Sequence, residues 1–307
     1  MAVLGPTASG KSDLALGLAE RFGGEIVNFD SLQVYRGLDV GTAKTPMEAR
    51  RGIPHHLIDI LNPLEVFDAG QFAGRARAVL EEIGARGRLP VLAGGTGFYL
   101  RALLEGLAPG PGRDEGLRRR LNAMEERREG RLHGLLRRWD PATAARIHPR
   151  DRQKLVRAVE ICVLARRPAS ELFAGGAAGL KGFRVLKLGL SPAREALRAR
   201  IRLRTRAMFA HGLVEEVRGL LAAGLPADAK PLESIGYKEA CAVVAGRLSP
   251  EQAEELTFYA TCQYAKRQAT WFRREADLET VEGFGWEPEV AAGCAARVAE
   301  FLESLQR

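Results

Sequence analysis

Short apolar runs alternate with longer amphipathic segments along the first hundred residues of the chain. The apolar runs at residues 1–4, 25–30 and 89–95 have the length of strands buried in a parallel sheet. Segments 13–23 and 71–87 carry apolar residues at helical spacing, which predicts amphipathic helices. The alternation predicts an α/β fold in which helices wrap a parallel sheet and ligands bind at the carboxyl ends of the strands.

Two clusters rich in glycine interrupt this pattern, PGPGRD at 109–114 and AGGAAGLKG at 174–182. The chain between them is basic and has the spacing of helices throughout. After the second cluster, residues 184–190 form an apolar run typical of a returning strand, and long helical segments follow. We therefore predict a core formed by residues 1–112 and 180–307, with an all-helical insertion domain at 113–179.

The positive charge of the chain is concentrated in that helical segment. The chain has 46 Lys and Arg against 38 Asp and Glu, a net charge of +8. Residues 113–167 contain 15 Arg and one Lys against 8 acidic residues, so the whole excess arises there. Arg forks bind phosphate oxygens in a bidentate manner, which favours a nucleic-acid backbone as partner. For any single Arg, a paired charge on a solvated helix face is the alternative.

Composition argues against several classes of protein. No apolar run approaches the ~18 residues of a membrane span and no signal peptide precedes the first strand, so we expect a cytoplasmic protein without membrane contact. The four cysteines, at 162, 241, 262 and 294, are far apart and lack a C-x-x-C pair. This spacing argues against a zinc ribbon or a disulfide framework. We expect a monomer without a protein partner.

The segment GPTASGKS at residues 5–12 matches the phosphate-binding pattern G-x-x-x-x-G-K-[ST]. A strand-like run precedes it and a helical segment follows, which is the context that this pattern requires. Backbone N–H groups curl round an anion, Lys11 adds charge, and the Ser12 hydroxyl reaches a Mg²⁺ ion. The predicted phosphate site consists of Gly5, Pro6, Thr7, Ala8, Ser9, Gly10, Lys11 and Ser12. The loop alone leaves open which phosphate compound it binds.

Asp30 follows the second predicted strand and so lies at the carboxyl edge of the sheet, beside the phosphate loop. A carboxylate there is well placed to accept a proton from a nucleophile that attacks the bound phosphate compound. The alternative is an Asp that caps a loop or helix. An ATPase of this class usually carries an acid after an apolar strand, for Mg²⁺, whereas the third strand here ends in Gly94, Gly95 and Thr96. The apparatus for ATP hydrolysis is therefore not evident.

Eight segments together resemble the tRNA dimethylallyltransferase family, in order and from end to end: GPTASGKS, DSLQVYRGLDVGTAK, PHHLID, AGGTGFYLRAL, DPATAARIHPRD, GLVEEV, SIGYKEA and AKRQATWFR. The resemblance implies a P-loop-type core with a helical insertion, dependence on Mg²⁺, and binding of a tRNA anticodon stem-loop. It also implies transfer of a dimethylallyl group from dimethylallyl diphosphate to N6 of the adenosine 3′ of the anticodon, in tRNAs that read codons beginning with U.

The resemblance assigns roles to individual residues. The phosphate loop would hold the diphosphate leaving group, with Thr7 on phosphate oxygens and Ser12 on the metal. Arg204 falls on the family's R-I-x-x-R pattern and would grip the diphosphate. Asp30 would be the general base for the adenine amine, and Thr96 resembles the residue that contacts the target nucleotide. The residues expected in catalysis are Asp30, Thr96 and Lys11; a helix N-cap is the alternative for Thr96.

The adenosine must leave the stack of the anticodon loop to reach Asp30, and Gln33 is expected to read the flipped base or its neighbours. Trp271 and Phe272 are expected in the core, because they lie in a long helix with apolar periodicity; stacking on a base is the alternative. The residues expected to bind tRNA are Asp30, Ser31, Leu32, Gln33, Thr96, Arg118, Gln153, Lys154, Leu155, Val156, Arg157, Lys266, Arg267 and Arg273.

The chain departs from the family pattern at two positions: Cys262 stands where relatives usually carry Arg, and Arg150 where Asn is common. Three other functions stay open. A small-molecule or nucleoside kinase would use the loop for ATP and Asp30 to deprotonate a hydroxyl. An RNA-binding module with a vestigial loop would bind tRNA without forming a product. A prenyltransferase acting on free nucleotides would not need the basic insertion.

Overall fold

The computed structural model describes residues 1–108, 110–174 and 178–306. They form two compact units, which we call the core unit (Met1–Leu103 with Lys181–Arg307) and the helical unit (Leu104–Leu180). The predicted boundaries lay at 112/113 and 179/180, so the first division occurs earlier, at the end of a helix. Of the two glycine-rich clusters, residues 109 and 175–177 fall outside the described residues.

The core unit contains one parallel sheet of six strands, in the order β3-β2-β4-β1-β5-β6. The strands are β1 (Ala2–Leu4), β2 (Gly24–Asn28), β3 (His55–His56), β4 (Leu89–Ala93), β5 (Lys187–Ser191) and β6 (Leu278–Glu282). The predicted α/β class with a parallel sheet is therefore confirmed. Both edge strands were missed: β3 has two residues, and β6 reads LETVE, which contains two acidic residues and no continuous apolar run.

Helices pack on both sides of the strands. Those of the core unit are α1 (Lys11–Phe22), α2 (Ala69–Ala85), α3 (Gly97–Leu104), α9 (Arg194–Ala210), α10 (Leu213–Ala222), α11 (Tyr237–Val244), α12 (Pro250–Phe272) and α13 (Pro288–Gln306). Short 3₁₀ turns occupy Met47–Arg50 and Lys230–Glu233. The central strands have buried side chains on both faces, which explains why they read as continuous apolar runs.

The main core lies between the sheet and helices α1 and α13. It joins Val3 and Leu188 from adjacent strands to Leu14, Leu18 and Val298 from the helices. A second apolar cluster joins the loop after β2 to α10 and α11, through Val34, Leu38, Leu213 and Tyr237. That second cluster fixes the loop that follows Asp30.

The helical unit contains α4 (Glu115–Arg127), α5 (Arg131–Trp139), α6 (Pro141–Ala144), α7 (Arg152–Ala165) and α8 (Ala169–Ala174). Its described residues include no strand, as expected. Aspartates cap three of these helices, because Asp114, Asp140 and Asp151 accept backbone N–H groups of the first turns of α4, α6 and α7. The Leu180 N–H donates to the Leu104 carbonyl at 3.0 Å, so the two ends of the unit lie side by side.

Across the residues that the structure describes, no helix is both long and apolar enough to cross a membrane. The cysteines are all free thiols, and those at 162, 241 and 294 are buried.

Candidate active site

The phosphate loop connects β1 to α1, and its backbone is arranged for an anion. Gly10 has a φ of 81°, and a Cβ atom on this residue would lie 2.4 Å from the Trp286 ring. The position therefore requires glycine. Ala8 also has a positive φ, 64°, which is unusual for a residue other than glycine. Helix α1 has no side-chain N-cap, so the N–H groups of its first turn stay available.

Lys11 and Arg204 meet at this loop. The Lys11 ammonium donates to the Pro6 carbonyl at 3.3 Å, and the Arg204 guanidinium donates to the Thr7 hydroxyl at 3.1 Å and to the Thr42 carbonyl at 3.4 Å. Burial and the neighbouring charge of Arg204 lower the pKa of Lys11 to about 8, although the Asp30 carboxylate opposes the shift. Burial also lowers the pKa of Arg204. The structure thus brings Arg204, which comes from α9, to the predicted diphosphate site.

Asp30 lies just beyond β2 and is held by Asn28. The Asn28 Oδ1 accepts the Asp30 N–H at 3.0 Å, and its Nδ2 donates to the Leu57 carbonyl at 3.0 Å. Asp30 Oδ1 accepts the Leu32 N–H at 2.9 Å, so the capping role weighed for this residue is present. Within the described part of the chain, no hydrogen bond reaches Oδ2. One carboxylate oxygen therefore orders the loop while the other stays available for chemistry.

Asp30 faces a cavity of about 510 Å³, which we call the Asp30 cavity. Thr7 and Arg204 line the same cavity, so the phosphate loop and the carboxylate open into one space. Tyr35, Phe67, Tyr99 and Tyr264 contribute aromatic walls. Burial raises the pKa of the Tyr99 and Tyr264 phenols, and the Asp30 charge adds to both shifts, so these hydroxyls remain neutral hydrogen-bond donors.

Thr96 and Gln33 contact other parts of the protein. The Thr96 hydroxyl accepts the Ser31 N–H at 3.1 Å and lies 3.4 Å from the Ser31 hydroxyl, so it orders the loop after Asp30. Among the described residues, no hydrogen bond joins this hydroxyl to an N–H group of α3. The Gln33 amide donates to the Thr42 carbonyl at 3.2 Å. Ser31 and Leu32 line the Asp30 cavity directly.

Gln268 was missed by the sequence reasoning. Its Oε1 accepts the Thr7 N–H at 2.8 Å and its Nε2 donates to the Gly95 carbonyl at 2.8 Å, which ties the phosphate loop to the end of β4. The residue is 6% exposed. A signal was present, because Gln268 lies on the apolar face of α12 between Ala265 and Phe272, and a buried amide requires partners.

Glu216 was also missed, and it holds the loop that contains Thr42. Its carboxylate accepts the N–H groups of Asp39 (3.0 Å), Val40 (2.7 Å) and Gly41 (3.4 Å). It also accepts the Tyr237 hydroxyl at 2.6 Å. Tyr237 is fully buried, and burial together with the Glu216 charge raises the pKa of its phenol. The sequence shows GLVEEV and SIGYKEA, but it does not show that they meet.

The end of α12 carries Trp271 and Phe272, which were expected in the core. Phe272 is 4% exposed, as expected. Trp271 is half-buried against Gly97, with the Arg101 guanidinium 4.7 Å from its ring. The three cationic residues predicted for tRNA binding, Lys266, Arg267 and Arg273, are exposed.

The tRNA-binding residues expected in the helical unit divide into two groups. Leu155 and Val156 are 0% and 4% exposed and belong to its apolar core, which corrects the expectation that their side chains contact RNA. They face inward because α7 packs that side against α4 and α5. The other group is polar: Arg118 and Arg157 bind the buried Glu160 at 2.6–2.8 Å, Lys154 binds Asp151, and Gln153 is exposed.

Comparison with known proteins shows which family the chain resembles. The family model described as IPP transferase matches residues 33–275. A tRNA dimethylallyltransferase of Solibacter usitatus is 57% identical over 98% of both chains, and one of Koribacter versatilis is 52% identical over 92% of both.

Solved structures agree with these sequence relatives. The full-length tRNA isopentenylpyrophosphate transferase of Bacillus halodurans matches with a TM-score of 0.72 and 36% identity, over 99% of this chain and 96% of that one. A eukaryotic dimethylallyltransferase acting on tRNA matches with a TM-score of 0.85 and 27% identity, over 99% and 79%. The resemblance first noted in eight sequence segments is thereby confirmed: this chain belongs to the IPP transferase family, as do these relatives named tRNA dimethylallyltransferase.

Proposed function

We propose that this protein transfers a dimethylallyl group from dimethylallyl diphosphate to N6 of the adenosine 3′ of the anticodon, position thirty-seven, in tRNAs that read codons beginning with U. The single observation that carries the proposal is that Thr7 of the phosphate loop and Asp30 line one cavity. A donor held by the loop and an amine held by Asp30 would meet there. The N6–C1 bond forms, the C1–O bond breaks, diphosphate leaves, and the amine proton passes to Asp30.

Charge builds on the diphosphate as the C1–O bond breaks. The free N–H groups at the start of α1, the Lys11 ammonium and the Arg204 guanidinium are fixed beside that developing charge. Such preorganised donors stabilise the transition state more than the ground state. Lys11 therefore stabilises the leaving group, and Arg204, which reaches both loop and cavity, positions it.

The acceptor end requires a base and an aromatic pocket. An exocyclic adenine amine is a weak nucleophile, so a carboxylate that orients it and takes its proton lowers the barrier. The aromatic walls of the Asp30 cavity suit a base flipped out of the anticodon loop. We propose that Gln33 contacts the neighbouring bases and that Lys266, Arg267 and Arg273 contact tRNA phosphates.

Mg²⁺ fits the residues present. Among the described residues, no group of three or more His, Cys, Asp or Glu could hold a metal alone, whereas Ser12 lines a cavity at the start of α1. Mg²⁺ commonly uses one or two protein oxygens together with substrate phosphates and water. Ser12 would hold the ion, which would neutralise charge on the diphosphate. Because tRNA is the acceptor, we propose that the protein acts in the cytoplasm.

The kinase alternative has less support. The named relatives are dimethylallyltransferases, and β4 is followed by Gly94, Gly95 and Thr96, without a carboxylate for the metal of ATP hydrolysis. No additional feature of the site favours ATP.

The test is mass spectrometry of unmodified tRNA incubated with the protein, Mg²⁺ and dimethylallyl diphosphate, with ATP in a parallel reaction. We expect a five-carbon adduct on one adenosine. In Asp30→Asn the rate should fall roughly 10²- to 10⁴-fold, whereas the exposed control Asp228→Asn should retain it. If Asp30→Asn forms the adduct at the wild-type rate, Asp30 is not the general base. ADP without any adduct would support the kinase.

A further inference from the structure

Arg200 lies on α9 one helical turn before Arg204, and both line a second cavity of about 580 Å³ at the start of α1, which we call the outer cavity. Lys11 and Ser12 line it as well. Of its described lining residues, Asp13 is the single carboxylate, against three cations. A pocket with this balance of charge suits a ligand that carries several negative charges.

The two arginines differ in the cavities that they line. Arg204 lines both the outer cavity and the Asp30 cavity, whereas Arg200 lines the outer cavity and not the Asp30 cavity. Positions four residues apart share a helix face and are separated by about 6 Å along the axis. Arg204 therefore lies where the outer cavity and the Asp30 cavity approach each other, and Arg200 lies on the side away from Asp30.

Arg200 and Arg204 are close enough to repel each other. Burial lowers the pKa of Arg204, Asp30 opposes the shift, and the charge of Arg200 adds to it. Within the described part of the chain, Arg200 forms no ion pair with an acidic residue. Two guanidinium groups held near each other in this way are unfavourable in the free protein, and an anion bound to both removes that cost.

Trp286 fixes Arg200 relative to the phosphate loop. The guanidinium carbon of Arg200 is 4.8 Å from the centre of the Trp286 ring. That ring stacks on Phe284 and packs against Gly10, while the Gly285 N–H donates to the Ser9 carbonyl at 2.9 Å. A guanidinium stacked on an aromatic face keeps its N–H edge free for phosphate oxygens.

We propose that Arg200, oriented by Trp286, is a second guanidinium ligand of the diphosphate and binds its terminal phosphate, while Arg204 binds the phosphate next to the transferred carbon. The inference rests on the proposed function and adds a basis for selecting a diphosphate over a monophosphate. Arg200 is a binding residue, and Trp286 is a positioning residue that acts through it.

The test is calorimetric titration of the full chain in Mg²⁺ with inorganic pyrophosphate and, separately, with inorganic phosphate. Arg200→Ala should raise the Kd for pyrophosphate roughly 10- to 100-fold, the effect of one charged hydrogen-bonding group, and change the Kd for phosphate less than about 2-fold. Trp286→Ala should raise the pyrophosphate Kd roughly 3- to 10-fold, and Trp286→Phe should restore most of the affinity.

Arg206→Ala is the matched control, because Arg206 lies on the same helix, is largely exposed and pairs with Glu254. Its pyrophosphate Kd should equal that of the wild type. Two results for Arg200→Ala would overturn the inference. One is a wild-type Kd for pyrophosphate, and the other is an equal loss of affinity for phosphate and for pyrophosphate. If the wild type forms the tRNA adduct, either result leaves the proposed function intact. A wild type that binds no pyrophosphate and forms no adduct overturns both.

Discussion

Gln268 and Thr7 are 261 residues apart in the chain, and the Gln268 side chain accepts the Thr7 N–H at 2.8 Å. The same amide donates to the Gly95 carbonyl, so one side chain joins the ends of β1 and β4 at the point where the donor is proposed to bind. The phosphate loop is therefore ordered by α12 as well as by its own turn.

Replacing Gln268 by Ala should leave the part-buried Thr7 N–H and the buried Gly95 carbonyl without partners. We expect a loss of about 1–3 kcal/mol in the free energy of unfolding, measured by urea titration, and a higher KM for dimethylallyl diphosphate. Gln263→Ala, at an exposed position of the same helix, should change neither quantity. Equal KM values in the two variants would show that the loop keeps its geometry without the amide.

Affinity for the diphosphate should depend on pH through Lys11. Its pKa of about 8, below the ordinary 10.5, means that the free protein loses this charge as pH rises through 8. The Kd for pyrophosphate should therefore increase between about pH 7 and 9, and binding near pH 8 should take up a proton. Titrations in two buffers of different ionisation enthalpy measure that uptake. In Lys11→Arg, which stays charged, the uptake should disappear.

The same shift has an opposite consequence for folding. A lysine whose pKa is lowered in the folded protein binds fewer protons there than in the unfolded chain between about pH 8 and 10.5. The contribution of Lys11 to stability therefore improves as pH rises through this window, while affinity for the anion declines.

Glu216 should matter far more than its neighbour Glu215. Glu216→Ala leaves the N–H groups of residues 39–41 and the Tyr237 hydroxyl without their acceptor, so we expect a loss of roughly 2–4 kcal/mol in the free energy of unfolding. Glu215 pairs with Arg218 at the surface, and Glu215→Ala should stay within about 0.5 kcal/mol. Thermal unfolding of both variants measures this difference. Similar losses of unfolding free energy in the two variants would contradict the role given to Glu216.

The helical unit should lose stability in acid through Glu160. Burial alone would raise the pKa of this carboxyl, but hydrogen bonds from Arg118, Asp114 and Arg157 hold it at about 2. Its contribution is complete above the ordinary value of 4.5 and is lost as pH falls through 2. Circular dichroism between pH 6 and 2 should show that the wild type loses its helical signal more steeply with falling pH than Glu160→Gln does. Parallel curves would contradict this assignment.

Most of the sheet was readable from sequence because its central strands are buried on both faces and stand out as apolar runs. The edge strands were not: β3 has two residues and β6 contains two acidic residues, so neither has the pattern of a buried strand. Leu155 and Val156 are the reverse case, a role predicted from sequence that the structure does not support. A motif assigned them to tRNA contact, but helical packing placed them in a core.

The sequence by itself determined what depends on neighbouring residues: the phosphate loop with its strand and helix, Asp30 at the end of β2, and the family. Tertiary structure alone decided which distant residues complete the site. Gln268, Glu216 and the Arg200–Trp286 pair act through contacts between segments far apart in the chain. Helical and strand periodicity shows which face of an element is buried, but it does not show which other element covers that face.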